Sequence, residues 1–147
     1  MNPAGVRVIL VRHAHADWPE YNGPDLDRPL TPRGNEDAAR TAAAIKAAGL
    51  APGSLLVSPA LRTRQTAAII ATTLGLADDC TQFVDGLYNA SSQGLEAELR
   101  RNAADGDTIM LVAHNPGISE LGRRLACDRR ARPFAPADWR QYMLAAA

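Results

Sequence analysis

Three short segments place reactive side chains directly after apolar runs or at a helix start. Arg12-His13 follow VRVILV, Arg62 falls four residues past Ser58, and His114 follows TIMLVA. A guanidinium fork matches the oxygens of a tetrahedral anion, and an imidazole can donate to those oxygens or attack the central atom. Gathered together, two arginines and two histidines would form a pocket for an anion such as a phosphoryl group. Histidine is a nucleophile when one ring nitrogen gives its proton to an acceptor, commonly a backbone carbonyl, and the other is left bare. His13, first in line after a strand, is in that position. In-line attack on phosphorus would give a phosphohistidine that water then hydrolyses, with Arg12, Arg62 and His114 holding the equatorial oxygens.

These groups can meet only if the elements carrying them end at one edge. Val6 to Val11 is a β-branched run of strand length, apolar enough for burial on both faces. A Pro-, Gly-, Asp- and Asn-rich loop runs from about Ala14 to Leu30. Thr31-Pro32 then opens a helix, with Glu36 and Asp37 near its positive end, and Gly49 closes it. Leu55 to Val57 reads as a strand. Ser58-Pro59 repeats the same helix-start chemistry for a helix from Ala60 to Leu74, closed by Gly75. Further on, Thr81 to Val84 reads as a strand, Gly94 to Ala104 as a helix, Thr108 to Ala113 as a buried strand, Ile118 to Ala126 as a helix, and Trp139 to Ala146 as an edge strand.

Strands alternating with helices predict an α/β fold, a three-layer α/β/α arrangement around a mostly parallel central sheet. In such sheets, ligands bind beyond the carboxyl ends of the strands, where helix N-termini also point free N–H groups. Arg12, His13, Arg62 and His114 all reach that edge.

LVRHAHAD, DRPLTPRG, SPALRTRQTA and VAHNPGI resemble, in order, the signature blocks of the histidine phosphatase superfamily, the phosphoglycerate-mutase-like enzymes. The short length and the Leu87-Tyr88 pair are most similar to its SixA-type phosphohistidine phosphatases. The resemblance covers roughly Val6 to Ala126. It implies the mutase-like three-layer fold, phosphorylation of His13, and phosphate-binding roles for Arg12, Arg62 and His114. Two positions depart from the pattern: Ala14 stands where relatives carry glycine, and no glutamate lies near Leu87-Tyr88-Asn89, where mutase-like members have a catalytic one.

The nearest acid to that position is Asp85, and Asp25 and Asp27, with His15 behind them, are the others. Asp25 and Asp85 are therefore the acid/base candidates. An alcohol leaving group needs a proton, and a missing acid costs about 10²–10⁴-fold. Imidazole leaves a phosphoramidate more readily, so a weak acid site favours phosphohistidine on a protein over phosphate esters. The connections are also too short for a large cap insertion, which leaves the site open to a phosphorylated side chain on a protein surface, with inorganic phosphate as product. Three other readings use the same residues. One is a small-molecule phosphomonoesterase, and another is a phosphate-binding module impaired in turnover. The third takes His13-Ala14-His15-Ala16-Asp17, an H-x-H-x-D pattern, as the start of a dinuclear metallohydrolase site; with three histidines in the chain and Trp18 where the pattern continues with histidine, the expectation is no metal and no cofactor.

The 147 residues balance 16 basic against 16 acidic side chains and are 46% apolar, consistent with one domain over residues 1–147. Zero net charge argues against nucleic acid and anionic membrane as partners. Lys46 is the sole lysine, so fifteen of the sixteen basic residues are arginine. The basic run from Arg123 to Arg132 reads as a solvated helix end and loop. Cys80 and Cys127 lack ligand spacing and read as reduced structural thiols, Arg7 interrupts the apolar start expected of a signal peptide, and no apolar run is long enough to span a bilayer. These features predict a cytoplasmic protein. Trp18, Tyr21 and Tyr88 are candidates for the mouth of the pocket.

Overall fold

The computed structural model describes residues 5–145, and the predicted strand's final residue, Ala146, lies outside them. Five strands form one sheet: β1 (Val6–Arg12), β2 (Ser54–Val57), β3 (Thr81–Phe83), β4 (Thr108–Ala113) and β5 (Trp139–Leu144). Their order is β3-β2-β4-β1-β5, with every pairing parallel except that of β5 to β1. Four helices connect and cover them: α1 (Pro32–Ala47), α2 (Leu61–Leu74), α3 (Ser92–Asn102) and α4 (Gly117–Ala126).

The continuous apolarity of the inner strands follows from burial on two faces. Register sets Leu10 opposite Leu111 and Leu111 opposite Leu56, and all three enter one core with Leu95, Leu99, Ile118 and Leu121 of α3 and α4. The next residues along, Ile9, Met110 and Leu55, point to the opposite core with Ala42, Ile45, Ala67 and Ile70 of α1 and α2. Alternation in each strand thus divides the molecule into three layers. The predicted α/β/α class is the one observed.

The turn residues act mostly as their chemistry dictates. Thr31 caps α1 by accepting from the Gly34 amide at 3.0 Å, and Gly75 ends α2 in the left-handed region at φ 68°. Glu36 and Asp37 fall beyond the first turn, and Asp37 pairs instead with Arg33 and Arg40. The small-residue face of α1 permits close approach at Gly34, where a Cβ would come within 2.0 Å of the His15 carbonyl oxygen. One helix start is corrected. Ala60, with no side-chain cap, precedes α2, while fully buried Ser58 turns its hydroxyl toward the carboxyl edge of the sheet.

Among the described residues no helix is long and apolar enough to cross a membrane. Both cysteines are free, Cys80 half-buried and Cys127 exposed at the end of α4 with φ 51°.

Candidate active site

β1 ends at Arg12 and β4 at Ala113, and their parallel register places these two residues opposite one another. The chain therefore delivers His13 and His114 side by side, with ring centroids 5.3 Å apart. Tyr88 completes a row, its ring meeting that of His114 edge-on at 5.7 Å. Arg62, in the first turn of α2, is 5% exposed, and its charge reaches both imidazoles.

His13 is 8% exposed, and its Nδ1 lies 2.7 Å from the Ala14 carbonyl oxygen. A carbonyl only accepts, so Nδ1 carries the proton and Nε2 keeps its lone pair. Burial pushes the His13 pKa down to about 3; the Ala14 carbonyl opposes this, and His114, Arg62 and Arg12 add to it. Burial, aided by Arg62, likewise holds His114 down to about 4, with Nε2 2.7 Å from the Ser58 hydroxyl. Both rings are neutral at physiological pH.

The two arginines are anchored by one part of the guanidinium and left bare at another. Arg12 donates Nη1 to the Phe134 carbonyl at 3.0 Å. Arg62 donates Nη1 to the Asp25 carbonyl at 2.8 Å and Nη2 to Asp25 Oδ2 at 2.9 Å. In both, Nε is buried with no hydrogen-bond partner among the described residues. An unpaired buried donor costs about 1–3 kcal/mol, so two beside the imidazole pair describe a site suited to an acceptor-rich ligand.

Asp25 does not suit the acid role given to it above. Its Oδ2 accepts from Arg62 and from the Tyr88 hydroxyl at 2.6 Å, and Oδ1 accepts from Arg28 at 3.0 Å. Tyr88 above all, with Arg28 and Arg62, holds the carboxyl well below the usual range, so it has no proton to give near neutrality. Asp85, in the 3-10 turn before Tyr88, is exposed and makes no side-chain hydrogen bond or ion pair among the described residues. Asp27 makes no side-chain hydrogen bond or ion pair among the described residues, and His15 bonds Thr31 Oγ1 at 2.8 Å. The H-x-H-x-D residues do not converge: Asp17 is 89% exposed, and no three His, Cys, Asp or Glu among the described residues group as metal ligands.

Other residues support the site, and the backbone contacts among them were not read from the sequence. Thr66 accepts from the Ala14 amide at 3.0 Å and donates to the Arg62 carbonyl at 2.8 Å, tying the His13 segment to the turn that carries Arg62. Gln65 accepts from the Leu30 amide, and Trp18 and Tyr21 brace the long loop by donating to the Pro29 and Pro24 carbonyls. The segment after Cys127, which carried no motif, supplies Phe134 to Arg12; Asn115 also donates to that carbonyl, and the Ala137 amide donates to the Arg12 and His13 carbonyls. Ala14 lies outside the positive-φ positions, so its lack of a glycine causes no backbone strain.

The family model for the histidine phosphatase superfamily (branch 1) matches residues 8–102, which include Arg12, His13, Asp25, Arg62 and Tyr88. The chain belongs to that superfamily. A chloroplastic protein of Arabidopsis thaliana, uncharacterised in function, is 35% identical over an alignment of 128 residues that covers 82% of this chain and 59% of that protein. This chain thus spans 59% of the length of that relative. Among solved structures, the Agrobacterium tumefaciens protein assigned as the phosphohistidine phosphatase SixA is 25% identical with a TM-score of 0.81, over 92% of this chain and 89% of that one. The Nakamurella multipartitia protein given the same assignment is 29% identical with a TM-score of 0.71, over 92% and 76% respectively.

Proposed function

We propose that the chain is a metal-independent phosphatase, one domain in extent and cytoplasmic, that hydrolyses protein phosphohistidine through a phosphorylated His13. The observation that supports it most is the pairing of a bare His13 Nε2 with Arg12 and Arg62, whose buried Nε donors lack partners among the described residues. In this reading Arg12, Arg62 and His114 bind the phosphoryl oxygens, and His13 Nε2 attacks phosphorus as the P–N bond of the substrate breaks. A substrate imidazole already protonated on its distal nitrogen leaves as neutral imidazole, and the bond electrons cancel its charge. No general acid is then required, in keeping with the ionised state of Asp25 and the isolation of Asp85. Water attacks the His13 phosphoryl group in the second step, releasing inorganic phosphate and restoring the neutral ring.

Brief reaction with a radiolabelled phosphohistidine protein, followed by denaturing electrophoresis, should leave acid-labile phosphate on the chain. Label that persists in His13→Ala would refute the intermediate. Comparison of kcat/KM for phosphohistidine protein with that for small phosphate esters decides the substrate class, and activity unchanged by EDTA is expected.

A further inference from the structure

Asp25 is a junction. Its turn, Asp25–Asp27, lies in the connection between β1 and α1, yet it is bonded to α2 through Arg62, to the segment before α3 through Tyr88, and to its own loop through Arg28. Both of its oxygens are occupied by donors, and its backbone carbonyl also takes Arg62 Nη1. Resting on the phosphatase reading above, we infer that Asp25 is a positioning residue: its carbonyl and carboxylate grip both Nη atoms of Arg62 and thereby present the unpartnered Nε edge to the phosphoryl group.

The argument is geometric. A guanidinium is planar and its donors are fixed relative to one another, so holding Nη1 and Nη2 at 2.8 and 2.9 Å leaves Arg62 little freedom to rotate. The residue is 5% exposed, and Nε is the one Arg62 donor atom without a partner. Tyr88 and Arg28 hold the carboxylate itself, so the clamp is braced from both sides. An acid at this position would instead need a free oxygen carrying a proton, and Asp25 has none.

The test is a double-mutant cycle of Asp25→Ala and Arg62→Met, with Asp25→Asn as a second variant that keeps one acceptor oxygen. The measurements are vanadate dissociation constants and kcat/KM across aryl phosphates of differing leaving-group acidity. Asp25→Ala should weaken vanadate binding and lower kcat/KM by roughly 10- to 100-fold, as expected for a misplaced binding group, and equally for good and poor leaving groups. Asp25→Asn should fall between wild type and Asp25→Ala. With Arg62→Met already present, Asp25→Ala should cost less than about threefold. A loss that grows steeply for poor leaving groups, together with disappearance of the alkaline limb of the pH–rate profile, would make Asp25 an acid and overturn the clamp. An undiminished loss in the Arg62→Met background would overturn it as well. A wild-type chain that binds vanadate but turns nothing over would count against the phosphatase reading alone, because the same cycle is read in vanadate affinity.

Discussion

Replacing Arg62 by lysine keeps the positive charge and removes the fork, so it isolates geometry from electrostatics. In the folded chain Nη1 and Nη2 are committed to Asp25 at 2.8 and 2.9 Å, while Nε remains available. Lysine has one nitrogen at the end of a flexible stem. If that nitrogen pairs with Asp25, the phosphoryl group loses a donor; if it turns to the phosphoryl group, Asp25 loses its partner. Either choice forfeits a charge-assisted contact. Loss of a donor to transition-state charge costs about 3 kcal/mol, or roughly 10²-fold in rate. The carboxylate of Asp25 is half exposed, so the cost to folding should stay under about 1 kcal/mol. The experiment measures kcat/KM for p-nitrophenyl phosphate and for a phosphohistidine peptide, alongside a thermal melt. A loss near 10²-fold with an almost unchanged melting temperature is expected. Activity within about threefold of wild type would show that Arg62 acts only as a charge, and the bidentate argument would be wrong.

Acid should destabilise the fold through the buried His13 and half-buried His114 imidazoles. His13 is held down to about 3 and His114 to about 4 from an ordinary value of 6.5, so the unfolded chain takes up protons first as pH falls, and stability drops from pH 6.5 downward. Urea midpoints should show this slope between about pH 7 and 5, above the range where most carboxylates titrate; the same slope in a His13→Gln, His114→Gln double variant would assign it elsewhere. Thr66→Val leaves the Ala14 amide buried without an acceptor and cuts the tie between His13 and Arg62, so about 1–3 kcal/mol of stability should be lost together with activity, and an active variant that merely melts early would deny it a positioning role. Gly34→Ala sets a Cβ 2.0 Å from the His15 carbonyl oxygen, where backbone and not a flexible side chain must yield; a drop in melting temperature is expected, and an unshifted one would mean that α1 moves away from the loop freely.

The strands and most of the helices were legible because their signals are local. An apolar run such as TIMLVA has one economical use, a strand covered on both faces, and Gly75 has one economical place, the left-handed end of a helix. Parallel strands then bring Arg12-His13 and His114 to one edge without further information. The support of the site was not legible, because so much of it is backbone. Arg12 is held by the Phe134 carbonyl and Arg62 partly by that of Asp25, and any residue supplies a carbonyl. Ala137 sits at φ 67° and closes the loop against Arg12 and His13, yet alanine, unlike glycine, gives no notice of a left-handed position. Ser58 misled for a related reason. Ser-Pro reads as a helix start in isolation, and only the neighbouring end of β4 reveals that its hydroxyl belongs to His114.

The site keeps its imidazoles neutral by means that a bound dianion would partly reverse. Burial is the larger cause of the low His13 and His114 pKa values, and the nearby arginines lower them further. A phosphoryl group lying between Arg12 and Arg62 would offset those positive charges and bring negative charge to the imidazoles, so the His114 pKa must rise when it binds. His114 can then take up a proton and donate to an equatorial oxygen. The Ala14 carbonyl keeps the His13 proton on Nδ1 meanwhile, which in the proposed mechanism leaves Nε2 for phosphorus. In the proposed mechanism, two histidines in one electrostatic field are thus separated in role by their hydrogen-bond partners: a carbonyl that can only accept holds the nucleophile, and a serine hydroxyl that can accept or donate holds the residue whose protonation has to change.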